Sequence, residues 1–210
     1  MKQITVIGAS KGVGLETVRL ALDKGFKVVA FSRNLKEYPL SSPNLVTIEG
    51  DVSNQAIVER AITGSDAIVL AIGGTITFKK VTLYSQGTIT LLKAMGKMTA
   101  KPLLIAVTGF GAGESKGHSG FLLNVFLFGI LLKTGYADKT KQEELIKNSE
   151  TDWIIARPAV LTDGDLTGNY RIIDGVDTMP SKISRKDVAD FIVKQIDQPD
   201  QLHKTPLLTY

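Results

Sequence analysis

Three glycines near the N-terminus carry the sharpest chemical signal in this chain. The β-branched run Ile4-Thr5-Val6-Ile7 leads directly into Gly8-Ala9-Ser10-Lys11-Gly12-Val13-Gly14, and a helical pattern follows. A G-x-x-x-G-x-G spacing between a strand and a helix has a specific physical use. Gly8 lets the chain turn off the strand, Gly12 lets the backbone approach a pyrophosphate, and Gly14 lets the helix pack close to the sheet. The helix N-terminus then turns free N–H groups and a positive dipole end toward the phosphates. Gly8, Ala9, Ser10, Lys11, Gly12, Val13 and Gly14 are therefore predicted to cradle a dinucleotide, with a purely structural turn as the plainer alternative.

The end of the second strand selects among dinucleotides. NAD-specific sites place an acid there to bind the ribose diol. Here the chain reads Phe31-Ser32-Arg33-Asn34, with no acid. Arg33 can pair with a 2′-phosphate, Ser32 can donate a hydrogen bond to it, and Lys11 adds a second cation. These residue types predict NADP(H). Solvated surface charges are the alternative reading of Arg33 and Lys11.

Three more loops follow strand-like runs, where ligands of open α/β sheets bind. Asp51 and Val52 follow the third run and are predicted beside an adenine. Ala71, Ile72 and Gly73 follow the fourth, beside a ribose. Thr108 follows the fifth, at the expected nicotinamide. A threonine hydroxyl is too weak an acid to donate a proton unaided, so Thr108 is assigned an orienting hydrogen bond.

A tyrosine followed four residues later by lysine would supply a proton donor, because the lysine lowers the tyrosine pKa. None of the five tyrosines has that spacing. Tyr136 has Lys139 at three residues, which on one helix still places both on nearly one face. Tyr136, Lys139 and Thr108 are the catalytic candidates, against the alternative of a helix-start tyrosine with a surface lysine. The apolar stretch Ser119–Leu132, with Phe121, Phe126 and Phe128, reads either as a flap over a planar acceptor or as a packed or subunit-contact helix.

These residues need a frame, and apolar runs alternating with helical segments supply one. Strands are predicted at Ile4–Ile7, Lys27–Phe31, Leu45–Ile48, Ala67–Ala71, Leu103–Val107 and Trp153–Ala156. Helices are predicted at Gly12–Lys24, Gln55–Thr63, Val81–Thr99 and Lys139–Asn148. Tyr170–Ile173 reads as a short strand, and Ser184 begins a last helix with Asp187 three residues on. Continuous apolar strands between helices imply a parallel sheet covered on both faces. The fold class is α/β, a Rossmann-type doubly wound parallel sheet. Residues 1–210 are expected to form one domain, with a small substrate-side lobe at about 157–184.

Composition narrows the function classes. With no cysteine and only two histidines, disulfides, thiolate chemistry and a histidine-based metal site are not expected. The net charge of +4 comes from lysines scattered along the chain rather than gathered in a stripe, which argues against nucleic acid. The longest apolar stretch is shorter than the roughly 20 residues a bilayer requires. Met1-Lys2-Gln3 runs straight into a strand pattern, without the features of a signal peptide. The expectation is a soluble cytoplasmic protein, monomeric or dimeric, acting on a small molecule.

With these residues in view, the chain resembles the atypical short-chain dehydrogenase/reductases, the group of NmrA-like NAD(P)-binding proteins. Within it the chain is similar to the biliverdin-IXβ reductase/flavin reductase family. The resemblance runs from the glycine loop through Gly50-Asp51-Val52 and Arg157-Pro158 to Asp163–Gly168. It ends on Ile183-Ser184-Arg185-Lys186-Asp187-Val188-Ala189. It implies hydride transfer from NADPH to a flat conjugated acceptor such as a flavin, bilin or quinone, and it adds Pro158, Ala159 and Val160 to the cofactor contacts. The chain departs from that family in two places. The family loop is usually G-x-x-G-x-x-G, and its histidine after the proline is replaced here by Ala159-Val160. The missing histidine weighs more against bilin than against flavin, since reduced flavin can take its proton from water. The alternative is an NADP(H)-binding redox sensor without a substrate. A sugar-nucleotide or carbonyl reductase is disfavoured by the missing tyrosine–lysine spacing.

Overall fold

In the computed structural model, residues 1–74, 77, 79–115, 133–175 and 180–210 are described. The chain runs β1 (Gln3–Ile7), α1 (Gly12–Asp23), β2 (Lys27–Ser32), β3 (Leu45–Glu49), α2 (Gln55–Ile62), β4 (Ala67–Leu70), α3 (Leu83–Met95) and β5 (Leu103–Val107). It continues with a 3₁₀ turn at Gly113–Ser115, α4 (Lys133–Lys147), β6 (Trp153–Pro158), β7 (Val160–Thr162), β8 (Arg171–Ile173), β9 (Lys182–Ser184), α5 (Arg185–Asp197) and β10 (Leu207–Thr209). The main sheet has the order β3-β2-β1-β4-β5-β6-β10-β8. Its pairings are parallel except for β8 against β10. The strand order reverses between β1 and β4, which creates the crevice where doubly wound sheets bind ligands.

The two-residue period of the strands sorts their side chains into two cores. Ile4, Val6, Val69, Ile105 and Ile154 point to the face covered by α1 and α5, where they meet Val18, Ala21, Val188 and Ile192. Ile7, Ile68, Leu70, Leu104 and Ile155 point to the other face, against Val58 and Ile62 of α2, Leu91 and Met95 of α3, and Ile146 of α4. Because both faces are covered, these strands read as unbroken apolar runs.

Several boundaries differ from the sequence reading. α3 spans Leu83–Met95 rather than Val81–Thr99, since Gly96 occupies its C-cap. α4 begins at Lys133, ahead of the charged run at Lys139. Beside Ile146 its inward face is largely polar: Asp138, Gln142 and Glu143 are all buried. Asp138 accepts hydrogen bonds from the backbone N–H of Tyr84 (2.8 Å) and Ser85 (3.3 Å), so a side chain of α4 caps the start of α3. β7, β9 and β10 have three residues each, too few to show a period in sequence. β7 and β9 pair with each other in a separate parallel ribbon, whereas β8 joins the main sheet, so the stretch 157–184 is divided between two sheets. Residues 119–132, read as a flap or packed helix, lie outside the described residues.

Asp187 ties this region together. Its carboxylate accepts from Tyr210 Oη (2.6 Å), Thr167 Oγ1 (2.8 Å) and the backbone N–H of Thr167 and Gly168. Ser184 caps α5 through the Asp187 N–H, as the sequence pattern predicts. Burial alone would raise the Asp187 pKa, but these donors hold it below the usual carboxylate value.

Candidate cofactor and active site

A cleft of about 630 Å³ opens at the C-terminal ends of β1, β2, β4 and β5. Of the predicted residues, Gly8, Ser10, Lys11, Gly12, Val13, Ser32, Arg33, Asp51, Val52, Ala71, Ile72, Gly73, Thr108 and Lys139 line it. Ala9 and Gly14 stand behind this wall, both buried. Pro158, Ala159 and Val160 are not in the lining; Leu161 and Asp163 form that side of the cleft instead. The physical reason is that Pro158 ends β6, Ala159 is buried beside it, and Val160 points outward at 58% exposure. Tyr136 is also outside the lining, and the tyrosine that faces the cleft is Tyr84.

Each glycine of the loop has its own geometric necessity. Gly8 has φ +92°, and a Cβ there would lie 2.4 Å from the carbonyl oxygen of Ala71. Gly14 has no room either, since its Cβ would meet the Gly8 carbonyl at 2.2 Å, which is the close helix–strand packing the motif requires. Gly12 is different. Its φ is +62°, and the nearest atoms to a Cβ there belong to Arg185, at 3.7 Å, so its free space opens toward the cleft.

The start of α1 fits an anion. A helix begins with backbone N–H groups that lack intrahelical partners. Asn54 caps α2, Asp138 caps α3 and Ser184 caps α5. Lys11, the N-cap of α1, makes no side-chain cap, and the first turn of α1 contains no acid. A pyrophosphate would complete those N–H groups. At the end of the cleft formed after β2 and β3, Arg33 is exposed on the wall beside Asp51. The Asp51 carboxyl lies below its usual pKa, chiefly through hydrogen bonds from the backbone and hydroxyl of Ser53, with a smaller contribution from Arg33.

The floor of the cleft is a linked set of side chains from α3, α4, β5 and β6. Lys139 is half-buried, and its ammonium donates to the Thr108 carbonyl and sits 5.0 Å from the centre of the Tyr84 ring. Burial lowers its pKa to about 8, against an opposing pull from Glu143. Thr108 Oγ1 donates to Glu143 Oε1 at 2.7 Å. Glu143 in turn accepts from Arg157 Nε (3.1 Å) and Nη2 (2.5 Å), and Arg157 reaches Glu114 at 2.8 Å. Burial raises the pKa of Tyr84, outweighing a hydrogen bond from the Gly74 backbone, and pushes Tyr136 up to about 12. Tyr136 packs against Gly109, where a Cβ would lie 2.8 Å from its hydroxyl.

Glu143, Arg157, Tyr84, Asp163 and Arg185 were not among the predicted site residues. Arg157 does have a sequence signal, since a charge closing an apolar strand requires a buried acid elsewhere. For Tyr84 there is none, because its place depends on how α3 meets α4.

The sequence profile of the family described as NAD(P)H-binding matches residues 8–199, almost the whole chain. The chain belongs to this NAD(P)H-binding family. A chloroplastic protein of Arabidopsis thaliana, described as uncharacterized, is 28% identical over 97% of this chain and 75% of its own length. Among solved structures, the anaerobilin reductase ChuY of Escherichia coli O157:H7 matches with a TM-score of 0.81 and 23% identity, over 99% of this chain and 97% of its own. A short-chain dehydrogenase/reductase of Veillonella parvula, solved in complex with NADP, matches with a TM-score of 0.85 and 17% identity, over 100% and 94%. These likenesses establish the Rossmann-type fold. Among the described residues, no helix of this family member is long and apolar enough to cross a membrane.

Proposed function

We propose that this family member is an NADPH-dependent oxidoreductase that passes hydride to a planar conjugated acceptor of the flavin or bilin type. The observation that carries the reading is the convergence, in one cleft, of an uncapped helix start, an acid-free strand end bearing Arg33, and the Thr108–Lys139 floor. The likeness to a structure holding NADP and to a bilin reductase supports it.

In this reading the loop from Gly8 to Gly14 holds the pyrophosphate, and Ser32, Arg33 and Lys11 hold the 2′-phosphate. Asp51 and Val52 flank the adenine, Ala71–Gly73 the ribose, and Thr108 the nicotinamide. The acceptor lies on the side of Leu161, Asp163 and Tyr84. Bound NADPH supplies the hydride. Thr108 donates its hydroxyl hydrogen bond to Glu143, so its oxygen faces a ligand as an acceptor. Lys139 fixes the Thr108 backbone and, with its pKa of about 8, keeps most of its positive charge on the floor at neutral pH. Both nearby tyrosines are pushed above their usual pKa, so neither is a ready proton donor, and the reduced acceptor takes its proton from water. The same observation favours the second reading, an NADP(H)-binding sensor. Titrating NADPH binding and following NADPH oxidation with flavins, bilins, quinones and aldehydes separates the two. Tight binding with no turnover on any acceptor would replace the enzyme by the sensor.

Two substitutions test the assignments. Arg33→Ala is expected to erase most of the preference for NADPH over NADH, about 1.5–3 kcal/mol for hydrogen bonds to a charged group. Equal affinities in the unaltered protein would sink the NADPH assignment. Tyr136→Phe is expected to leave flavin turnover nearly unchanged, because Tyr136 lies outside the cleft lining. A loss of roughly 10²–10⁴-fold, as for removal of a general acid, would contradict solvent protonation.

A further inference from the structure

We propose that Arg185 is a ligand of the cofactor pyrophosphate, which takes the place of its partner Asp163 on binding. The inference rests on the dinucleotide reading of the cleft and adds a group that lies far from the glycine loop in sequence. Arg185 is the first residue of α5, yet its side chain lines the same cleft as the loop. Its Nε and Cδ lie 3.7 and 3.8 Å from the position of a Cβ on Gly12. The arginine side chain therefore passes over the point where the backbone is open to phosphate.

The present partner of Arg185 is easily displaced. Its Nη1 donates to Asp163 Oδ1 at 2.6 Å, but the Asp163 side chain is 92% exposed and that of Arg185 29%. An exposed ion pair contributes little, because water solvates both charges nearly as well. A guanidinium fork on a phosphate inside a cleft makes charge-assisted, paired hydrogen bonds in a drier setting, and these are stronger. Exchange of the carboxylate for the pyrophosphate is thus downhill.

Both members of the pair are mounted firmly. Ser184 caps the helix that begins with Arg185, and Asp187 anchors Thr167 and Gly168 at the end of the loop that carries Asp163. The neighbouring pair Lys186–Asp165 (3.0 Å) repeats the loop-to-helix contact with residues absent from the cleft lining. Among the described cations of the lining, Lys11 and Arg33 serve the 2′-phosphate and Lys139 the floor, so Arg185 is the one placed over Gly12.

The test is equilibrium titration of the full chain with NADPH, NADH and 2′-AMP, which has no pyrophosphate. Arg185→Gln is expected to weaken NADPH and NADH alike, by about 10- to 100-fold, and to leave 2′-AMP unchanged. Asp163→Asn frees the arginine and is expected to tighten both dinucleotides about 2- to 5-fold, an effect that vanishes in the Arg185→Gln background. Arg185→Lys keeps the charge without the fork and should fall between the two. Unchanged dinucleotide affinity in Arg185→Gln overturns the proposal, as does an equal loss for 2′-AMP, which would mark a general collapse of the site. Failure of the unaltered protein to bind any dinucleotide would instead overturn the reading of the cleft itself.

Discussion

Replacing Gly12 by valine is expected to abolish NADPH binding while the protein stays folded. The two halves of this expectation have separate physical grounds. Gly12 sits at φ +62°, so a β-branched residue there is strained by about 1–3 kcal/mol. That is a fraction of the 5–15 kcal/mol by which domains are usually stable. The new side chain also has space, since among the described residues only Arg185 comes within 4 Å of its Cβ. But that space is the space a pyrophosphate would use, and a valine in it keeps the phosphates from the start of α1. Affinity should fall by more than about 100-fold, beyond about 2.7 kcal/mol. The measurement is NADPH titration beside a thermal melt. A folded variant that binds NADPH normally would reduce the loop to a structural turn. Gly8 makes the contrast: a methyl group there would lie 2.4 Å from the Ala71 backbone, so Gly8→Ala should damage the fold itself.

The second large effect is on stability. Arg157 and Glu143 are 2% and 1% exposed, and they pair at 2.5 Å between β6 and α4. Glu143→Ala leaves the guanidinium buried with, among the described residues, only Glu114, whose side chain is 54% exposed, and strips Thr108 of its acceptor. Removing one partner of a buried ion pair costs about 3–5 kcal/mol, because the remaining charge has lost its water and gained nothing. For a chain of this length that lowers Tm by roughly 6–20 °C. Removing both charges together, as Glu143→Leu with Arg157→Met, should cost less than the single change, since no charge is left stranded. A single variant that melts within about 2 °C of the parent, within surface-substitution range, would refute the stranded-charge account.

How much of this was legible in advance depended on how local each signal is. The loop from Gly8 to Gly14 was readable because its demands are backbone demands, met within a few residues: positive φ at Gly8 and Gly12, close packing at Gly14. The strands were readable because burial on both faces leaves unbroken apolar runs. α4 was read as a charged amphipathic helix starting at Lys139, six residues late, with its acids given no buried role. Two of its acids, Asp138 and Glu143, are buried, but their partners lie elsewhere in the chain, such as Tyr84, 54 residues from Asp138, and Thr108, 35 from Glu143. Nothing near Glu143 in sequence distinguishes it from the exposed Glu144 beside it.

The sequence by itself determined the NAD(P)H-binding family, the parallel α/β architecture and the position of the glycine loop. The architecture and the loop follow from hydrophobic period and the stereochemistry of single residues, and the family from the motifs that carry the resemblance. Only the tertiary structure decided which tyrosine faces the cleft, that Lys139 meets the Thr108 carbonyl, and that Arg185 of α5 stands over Gly12. Those relations depend on the packing of α4 against α3 and of α5 beside α1, which brings together side chains that no local spacing relates.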